Sequence, residues 1–417
     1  MKDRRIAVTG VGAVSCLGND VPTLWNGLTA GKSGIGSITL FPAEDLPFPI
    51  GEVRGLTLSD TSARDERRMA RFVRFAVAAA DEAMRMAKLD KSPDRQDFDP
   101  FRFGALIANG AGGVEEYDRN LEALNRRGPG GVSAFFVPKY MSNGAAGTLA
   151  LRYGLRGPNF NPVSACASGA HAVGEAMWMI KRGDADIMLA GGAEACLNRL
   201  MASGFHSLTA LSLTMPPEQA CRPFDRDRDG FVLAEGAAVL VLEELEHARR
   251  RSAAILAELV GYGATCDASH ITAPAPDASG MTRAIRNALI RAGGVLEDIG
   301  CVIAHGTGTV ANDRCEAKAL HLAFGAHTEK LKVSAIKSMI GHALSASGAL
   351  SAIAAVEVLR TGTVPPTINF RTPDPECVLD VTPNTAARID TEYVLTNNLG
   401  FGGHNAALLF RKWENRR

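Results

Sequence analysis

Short runs of β-branched and apolar residues alternate along the chain with stretches of helical periodicity, and this alternation narrows the possible folds more than any other feature. Strands separated by helices make βα units, and such units assemble into a mostly parallel sheet clothed in helices, an α/β fold. Strand patterns fall at residues 5–9, 103–108, 159–164, 185–190 and 237–243, then at 255–262, 301–305, 331–334, 393–397 and 406–410. Helical patterns fall at 67–87, 167–182, 281–292, 313–323 and 348–359. The glycines at 10 and 12, directly after the first strand, read as a turn. Both halves end in paired strands around a glycine cluster, which suggests an internal duplication. The charged stretch 249–253 is the expected boundary, giving units 1–250 and 251–417. No low-complexity linker separates them, so they are expected to pack together.

A chain of 417 residues, 46% hydrophobic, buries enough apolar surface to fold without disulfides or a structural metal. Lys and Arg total 45 and so do Asp and Glu, so the net charge is zero. That balance excludes whole-molecule attraction to nucleic acid or to an anionic membrane. The eight cysteines are scattered without a Cys-x-x-Cys pair, a pattern of reduced thiols rather than of a disulfide framework or a zinc ribbon. The apolar N-terminal stretch is interrupted by Thr9, Gly10 and Gly12 and reads as no signal peptide. The uncharged stretch 338–356 is diluted by Gly341, His342, Gly348 and several serines, which makes it too polar for a membrane span. A soluble cytoplasmic protein is expected.

Four short segments carry candidate chemistry. In Pro162-Val-Ser-Ala-Cys-Ala-Ser-Gly-Ala-His171 a strand pattern runs into a helical one, with Cys166 at the junction. The partial positive charge of a helix N-terminus favours thiolate, and the small neighbours leave room for a carbonyl to approach. Ala304-His-Gly-Thr-Gly-Thr309 puts His305 at the C-terminal end of a strand, where open α/β sheets bind ligands. Ser334-Ala-Ile-Lys-Ser-Met-Ile-Gly-His342 brings Lys337 and His342 to the start of a helix. Asn397-Asn-Leu-Gly-Phe-Gly-Gly-His-Asn405 is a glycine loop that reads either as a tight hairpin or as a gate supplying a backbone N–H. Each signal is weak by itself. Together, one cysteine, two histidines and a lysine at strand–loop junctions fit a site that holds an acyl thioester and forms a carbon–carbon bond.

These segments, in this order, resemble the β-ketoacyl-[acyl-carrier-protein] synthases of the fatty-acid elongating type (synthase II), condensing enzymes of the thiolase superfamily. The resemblance runs nearly end to end. It includes Val8-Thr-Gly-Val-Gly12, Tyr153-Gly-Leu-Arg-Gly-Pro158, Ser164-Ala-Cys-Ala-Ser-Gly169, Gly191-Gly-Ala-Glu194, Arg222-Pro-Phe-Asp225, Arg228-Asp-Gly-Phe-Val232 and Gly400-Phe-Gly-Gly403. It implies a five-layer α-β-α-β-α fold of two duplicated halves, normally a homodimer. It implies that Cys166 takes the acyl group, that His305 and His342 promote malonyl decarboxylation, and that Lys337, paired with Glu316, holds the site electrostatically. Phe401 would be the gate, its N–H completing an oxyanion hole with that of Cys166. Thr307 and Thr309 would hydrogen-bond the pantetheine arm, and Ala111, Phe136, Glu316 and Gly402 would also serve substrate binding. Arg64, Arg67 and Arg68, extended by Arg71 and Arg74, would dock the acidic acyl carrier protein. The phosphopantetheine arrives on that carrier, and no other cofactor or metal is implied.

The sequence departs from the family pattern at several positions. Ala111 stands where isoleucine is usual, Leu399 where phenylalanine is, His404 where threonine is, and Thr209 where a docking arginine is common. The loss of bulk at Ala111 suggests longer, branched or polyene acyl chains, and so a specialised lipid or polyketide pathway, with or without a chain-length partner subunit. Three other readings fare worse. A nicotinamide-dependent oxidoreductase needs a third glycine where Ser15 stands. Non-catalytic chain-length subunits lack the nucleophile. Degradative thiolases carry a second cysteine near the C-terminus, whereas this chain has Gly400-Phe-Gly-Gly403 there.

Overall fold

In the computed structural model, residues 4–42, 46, 48–89 and 98–414 are described. Ten strands build one mixed sheet: β1 (Ile6–Val14), β2 (Phe103–Ala108), β3 (Asn159–Phe160), β4 (Ile187–Glu194), β5 (Gly236–Glu244), β6 (Ala257–Cys266), β7 (Ile299–Ile303), β8 (Lys332–Ser334), β9 (Tyr393–Gly400) and β10 (His404–Lys412). Their spatial order is β8-β7-β9-β10-β6-β1-β5-β4-β2-β3. Counted outward from the β6–β1 junction, the two halves have the same order, 1-5-4-2-3 and 6-10-9-7-8. They also share one pattern, two antiparallel pairs followed by two parallel ones. The halves meet where Ile6, Ala7 and Val8 pair antiparallel with Leu259, Glu258 and Ala257. The duplication suggested by the sequence is therefore written in the topology. The expected mostly parallel sheet is corrected to a mixed one. Helical crossovers make neighbours parallel, but β10 returns beside β9 through a tight loop and β5 lies antiparallel between β1 and β4.

Five helices make the layers: α1 (Arg71–Met86), α2 (Ser168–Arg182), α3 (Ser279–Arg291), α4 (Val310–Phe324) and α5 (Ser347–Thr361). Helices α2 and α5 fill the middle, where Val173, Met177, Ile353 and Val356 pack against Leu240 and Leu242 of one half and Ile303 and Leu408 of the other. The alternation of a strand sends Val239 and Val241 to the opposite face, where they meet Phe75, Ala79 and Met84 of α1. On the outer face of the second half, Ile285 of α3 and Leu320 of α4 cover Val302, Leu395 and Leu409. The result is the helix–sheet–helix–sheet–helix stack that the resemblance implied. Apart from the exposed edge strand β3, its strands are largely buried on both faces, which is why several read as continuous apolar runs. The stretch Leu344–Thr361 has the length and composition of a membrane span but is 89% buried inside the protein. An α-helix clamped between the two halves of the sheet must be apolar all round.

Gly10 and Gly12 lie within β1, not in a turn. A Cβ at Gly12 would sit 1.9 Å from the Ala79 carbonyl oxygen of α1, and one at Gly10 would sit 2.1 Å from that of Ala83. The second half repeats the device: a Cβ at Gly263 would lie 1.9 Å from the Ala284 oxygen of α3, and one at Gly261 would lie 2.3 Å from that of Ala288. These glycines let a helix backbone rest directly on a strand. Gly12→Ala should destabilise the protein by about 2 kcal/mol or more in urea unfolding. Gly130→Ala, whose added methyl meets nothing within 4 Å, should leave the midpoint nearly unchanged. Equal effects of the two changes would contradict this packing.

Candidate active site

The N-termini of α2 and α5 cross in the middle layer, and each crossing point is a glycine. A Cβ at Gly348 would lie 2.5 Å from Ala170 N, and one at Gly169 would lie 3.1 Å from Ala349 N. The segments leading into the two helices are copies, Ala165-Cys-Ala-Ser-Gly169 and Leu344-Ser-Ala-Ser-Gly348. Both begin with a left-handed residue, Ala165 at φ 49° and Leu344 at φ 42°. Ser345 is thus the second half's counterpart of Cys166, and its hydroxyl donates to the buried Glu194 carboxylate at 2.7 Å. The turn at Cys166 is fixed from within. Ser168 Oγ accepts the Ser164 N–H at 2.7 Å and donates to the Ala165 carbonyl at 2.6 Å.

Cys166 retains partial exposure through a pocket that His305, His342, Thr307, Thr309 and Phe401 also line. The backbone N–H groups of Phe401 and of Cys166 itself both act on the sulfur. Burial nonetheless pushes the Cys166 thiol up to about 12, against the pull of Lys337 and of those N–H groups, and Glu194 pushes it the same way. The expected thiolate is therefore corrected to a thiol at neutral pH. The partial charge of the helix end does not offset desolvation of a full negative charge.

His305 follows β7. Its N–H and that of Gly306 donate to the Glu316 carboxylate of α4 at 2.7 and 2.8 Å, while its carbonyl accepts from Lys337 Nζ at 2.6 Å. Lys337 and Glu316 are thus joined through the His305 peptide, not by the direct pairing expected. Glu316 is fully buried beneath the pocket, which removes it from the substrate-binding set. Burial raises Glu316 to about 7 and, against the attraction of Glu316, lowers Lys337 to about 8. The two imidazoles stand nearly perpendicular with centroids 5.4 Å apart. Burial, and then the Lys337 charge, hold both well below the ordinary histidine range, so both are neutral. His342 Nδ1 lies 2.9 Å from Ser347 Oγ, and its N–H donates to the Val232 carbonyl at 2.7 Å.

The β9–β10 loop reaches across to the turn at Cys166, so that a Cβ at Gly400 would lie 2.5 Å from Ser164 O. Gly402 is exposed, its φ is 86° and its N–H donates to Ile271 O at 2.7 Å, so it anchors the loop instead of lining the pocket. Thr307 and Thr309 lie with their hydroxyls 2.9 Å apart. Ala111 stands behind the pocket in an apolar cluster with Val114, Leu197, Phe231 and Leu344 that also touches Cys166. Phe136 is outside the pocket, half-buried on the surface helix Phe136–Tyr140 and stacked on Tyr140 with centroids 5.7 Å apart. Arg64, Arg67 and Arg68 are exposed as expected. Arg68 lies 3.7 Å from Asp65, Arg71 is tied to Glu235 at 2.5 Å and Arg74 to Glu66, so Arg71 and Arg74 do not extend the basic patch.

Two polar residues at the site carry no signal in the pattern of residue types. Asn398 Nδ2 approaches His305 Nδ1 at 3.3 Å. Glu194 accepts from Asn109 Nδ2 at 3.0 Å and from the N–H groups of Gly110 and Ala111 at 3.1 and 3.3 Å. Both lie within segments already singled out, and only their contacts mark them. Because the thiol is held near 12, alkylation of Cys166 by iodoacetamide should climb about tenfold per pH unit from 7 to 10. Lys337→Ala should slow it below about pH 8, where the lysine carries its charge, and have less effect above that. A plateau beginning below pH 8 would contradict the burial argument.

Residues 3–248 match the family model described as "Beta-ketoacyl synthase, N-terminal domain", and residues 256–371 match "Beta-ketoacyl synthase, C-terminal domain". The chain is 44% identical over 417 residues to 3-oxoacyl-[acyl-carrier-protein] synthase 2 of Staphylococcus aureus (strain COL), covering 99% of each chain. Among solved structures, it resembles the ketosynthase of a type II polyketide synthase bound to a hexaketide and in complex with its acyl carrier protein. That match has a TM-score of 0.91 and 33% identity, covering 99% of this chain and 100% of the other. The ishigamide ketosynthase/chain length factor gives a TM-score of 0.89 and 35% identity, with the same coverage.

Proposed function

The chain belongs to the beta-ketoacyl synthase family, and we propose on that premise that it is a 3-oxoacyl-[acyl-carrier-protein] synthase of fatty-acid elongation. The observation that carries this reading is one pocket in which a thiol, two neutral imidazoles and two N–H groups aimed at the sulfur are brought together. Residues 1–250 supply the nucleophile, and residues 251–417 supply the imidazoles, the lysine and the gate.

In the first half-reaction, Cys166 Sγ attacks the carbonyl of an acyl thioester. The oxyanion is held by the N–H groups of Cys166 and Phe401, the bond to the pantetheine sulfur breaks, and the thiol proton passes to that departing sulfur. In the second, malonyl thioester enters beside Thr307 and Thr309. Neutral His305 and His342 donate to its carbonyl oxygen as the C–CO2 bond breaks and an enolate forms. The enolate C2 attacks the acyl carbonyl on Cys166, and the sulfur leaves and takes up a proton. Malonyl carrier, acyl enzyme and one proton thus become 3-oxoacyl carrier, carbon dioxide and free thiol. Lys337 holds His305 through its carbonyl, and its charge adds to burial in keeping both imidazoles neutral. No resident metal or organic cofactor has a step to perform, since the pantetheine arm comes with its carrier.

An acidic acyl carrier protein is the proposed partner, docked by Arg64, Arg67 and Arg68. A homodimer is proposed on the exposed apolar side chains Phe135, Val137, Tyr140, Leu151, Phe160 and Val163, which flank β3, a sheet edge with unpaired backbone groups. The place of action is proposed to be the cytoplasm. Cys166→Gln should abolish condensation while malonyl decarboxylation persists, followed as labelled carbon dioxide. Retained condensation would overturn the nucleophile assignment.

A second reading, a ketosynthase of a specialised lipid or polyketide pathway working with a chain-length partner, is favoured by Ala111. Its single methyl brings less bulk to the apolar cluster against Cys166 than the isoleucine usual there would. A series of acyl donors should show activity extending to long chains, and Ala111→Ile should shorten the longest accepted donor. A cutoff that the substitution leaves in place would remove this reading.

A further inference from the structure

A neutral imidazole has one nitrogen that donates and one that accepts, and the partner of one fixes the role of the other. Two groups converge on His305 Nδ1: Lys337 Nζ at 3.4 Å and Asn398 Nδ2 at 3.3 Å. An ammonium has no lone pair to offer, so its presence makes Nδ1 the acceptor and orients the Asn398 amide with its NH2 toward the ring. Asn398 is fully buried on β9, and its Oδ1 has no hydrogen-bond partner among the described residues. The contact with His305 is thus the one through which this amide works.

We propose that Asn398 is a positioning residue that keeps the proton of His305 on Nε2, the nitrogen left free to donate to the developing enolate oxygen. The proposal rests on the condensing reading given above. Lys337 meets the same nitrogen, but it is committed at 2.6 Å to the His305 carbonyl, and burial lowers it to about 8. Its hold therefore weakens as pH rises through that value, whereas an amide donates at any pH. The other groups around the ring do not compete for Nδ1: His342 stands perpendicular to it, Cys166 lines the pocket with it, and Glu316 is taken up by the His305 and Gly306 N–H groups and by the side-chain amides of Asn397 and Asn312. With the proton on Nδ1, Nε2 would turn a lone pair toward the enolate oxygen, and decarboxylation would lose a donor.

The test measures the two half-reactions separately in the full-length protein. Asn398→Asp keeps the shape but only accepts, so it should draw the proton to Nδ1. Malonyl-carrier decarboxylation should fall about 100-fold, the usual scale for loss of one such donor, while acylation of Cys166 stays within threefold. Asn398→Ala leaves Lys337 as sole donor. Decarboxylation should fall about tenfold at pH 7 and further above pH 8, a slope the unaltered protein lacks. The proposal is overturned if the Asp variant decarboxylates as fast as the parent, or if both half-reactions fall by the same factor. In the unaltered protein, the 15N resonance of His305 Nδ1 should be that of an unprotonated ring nitrogen. A protonated Nδ1 there overturns the proposal even if neither variant folds. Absence of decarboxylation by the unaltered protein would instead count against the condensing reading itself.

Discussion

The crossing of α2 and α5 governs this molecule. Two helix N-termini approach until backbone meets backbone, which is possible only because Gly169 and Gly348 have no side chain at the contact. The crossing sets the separation of the two halves of the sheet and places the turn of Cys166 against residues that follow β7, β8 and β9. Cys166 comes from one copy of the duplicated unit, and His305, His342, Lys337 and Phe401 come from the other. Neither half holds the pocket alone. A small change in the crossing would move the sulfur relative to both rings, so the packing of the middle layer and the geometry of the chemistry are one constraint.

The same burial that builds the core sets the charge state of the site. Desolvation outweighs every other influence on Cys166, His305, His342, Lys337 and Glu316. It holds the sulfur as a thiol and the imidazoles neutral, so the sulfur keeps its proton at rest and each imidazole has an N–H to donate. The peptide of His305 carries the cation on its carbonyl and the carboxylate on its N–H, so the lysine influences the rings without an ion pair to neutralise it. Ser345 shows what the duplication kept and what it altered. It repeats the position of Cys166, but it is buried and bonded to Glu194, so only one of the two equivalent turns is open to a substrate.

Much of the fold was legible along the chain, because strands and helices buried on two faces carry strong apolar signals. The ten strand patterns and five helical ones match elements of the structure, with shifts of a few residues at their ends. The errors share a cause. Gly10 and Gly12 looked like a turn because glycine usually marks one, yet here each makes room for a carbonyl from a helix sixty or more residues away. The sheet looked parallel because helices alternate with strands, yet the last strand of each half comes back antiparallel.

At the site, sequence alone determined the kinds of chemistry present: which residues can be nucleophile, hydrogen-bond donor and cation, and that each stands at the end of a strand or the start of a helix. Those properties belong to single side chains and to local periodicity, which neighbours along the chain control. Only the tertiary structure decided their state and their partners. A thiol expected to ionise at a helix end is protonated, a lysine expected to pair with Glu316 reaches it through a peptide, and Arg71 leaves the basic patch for Glu235. Solvation and hydrogen-bond geometry depend on what surrounds a group in space, and at this site those surroundings come from strands far apart in the chain.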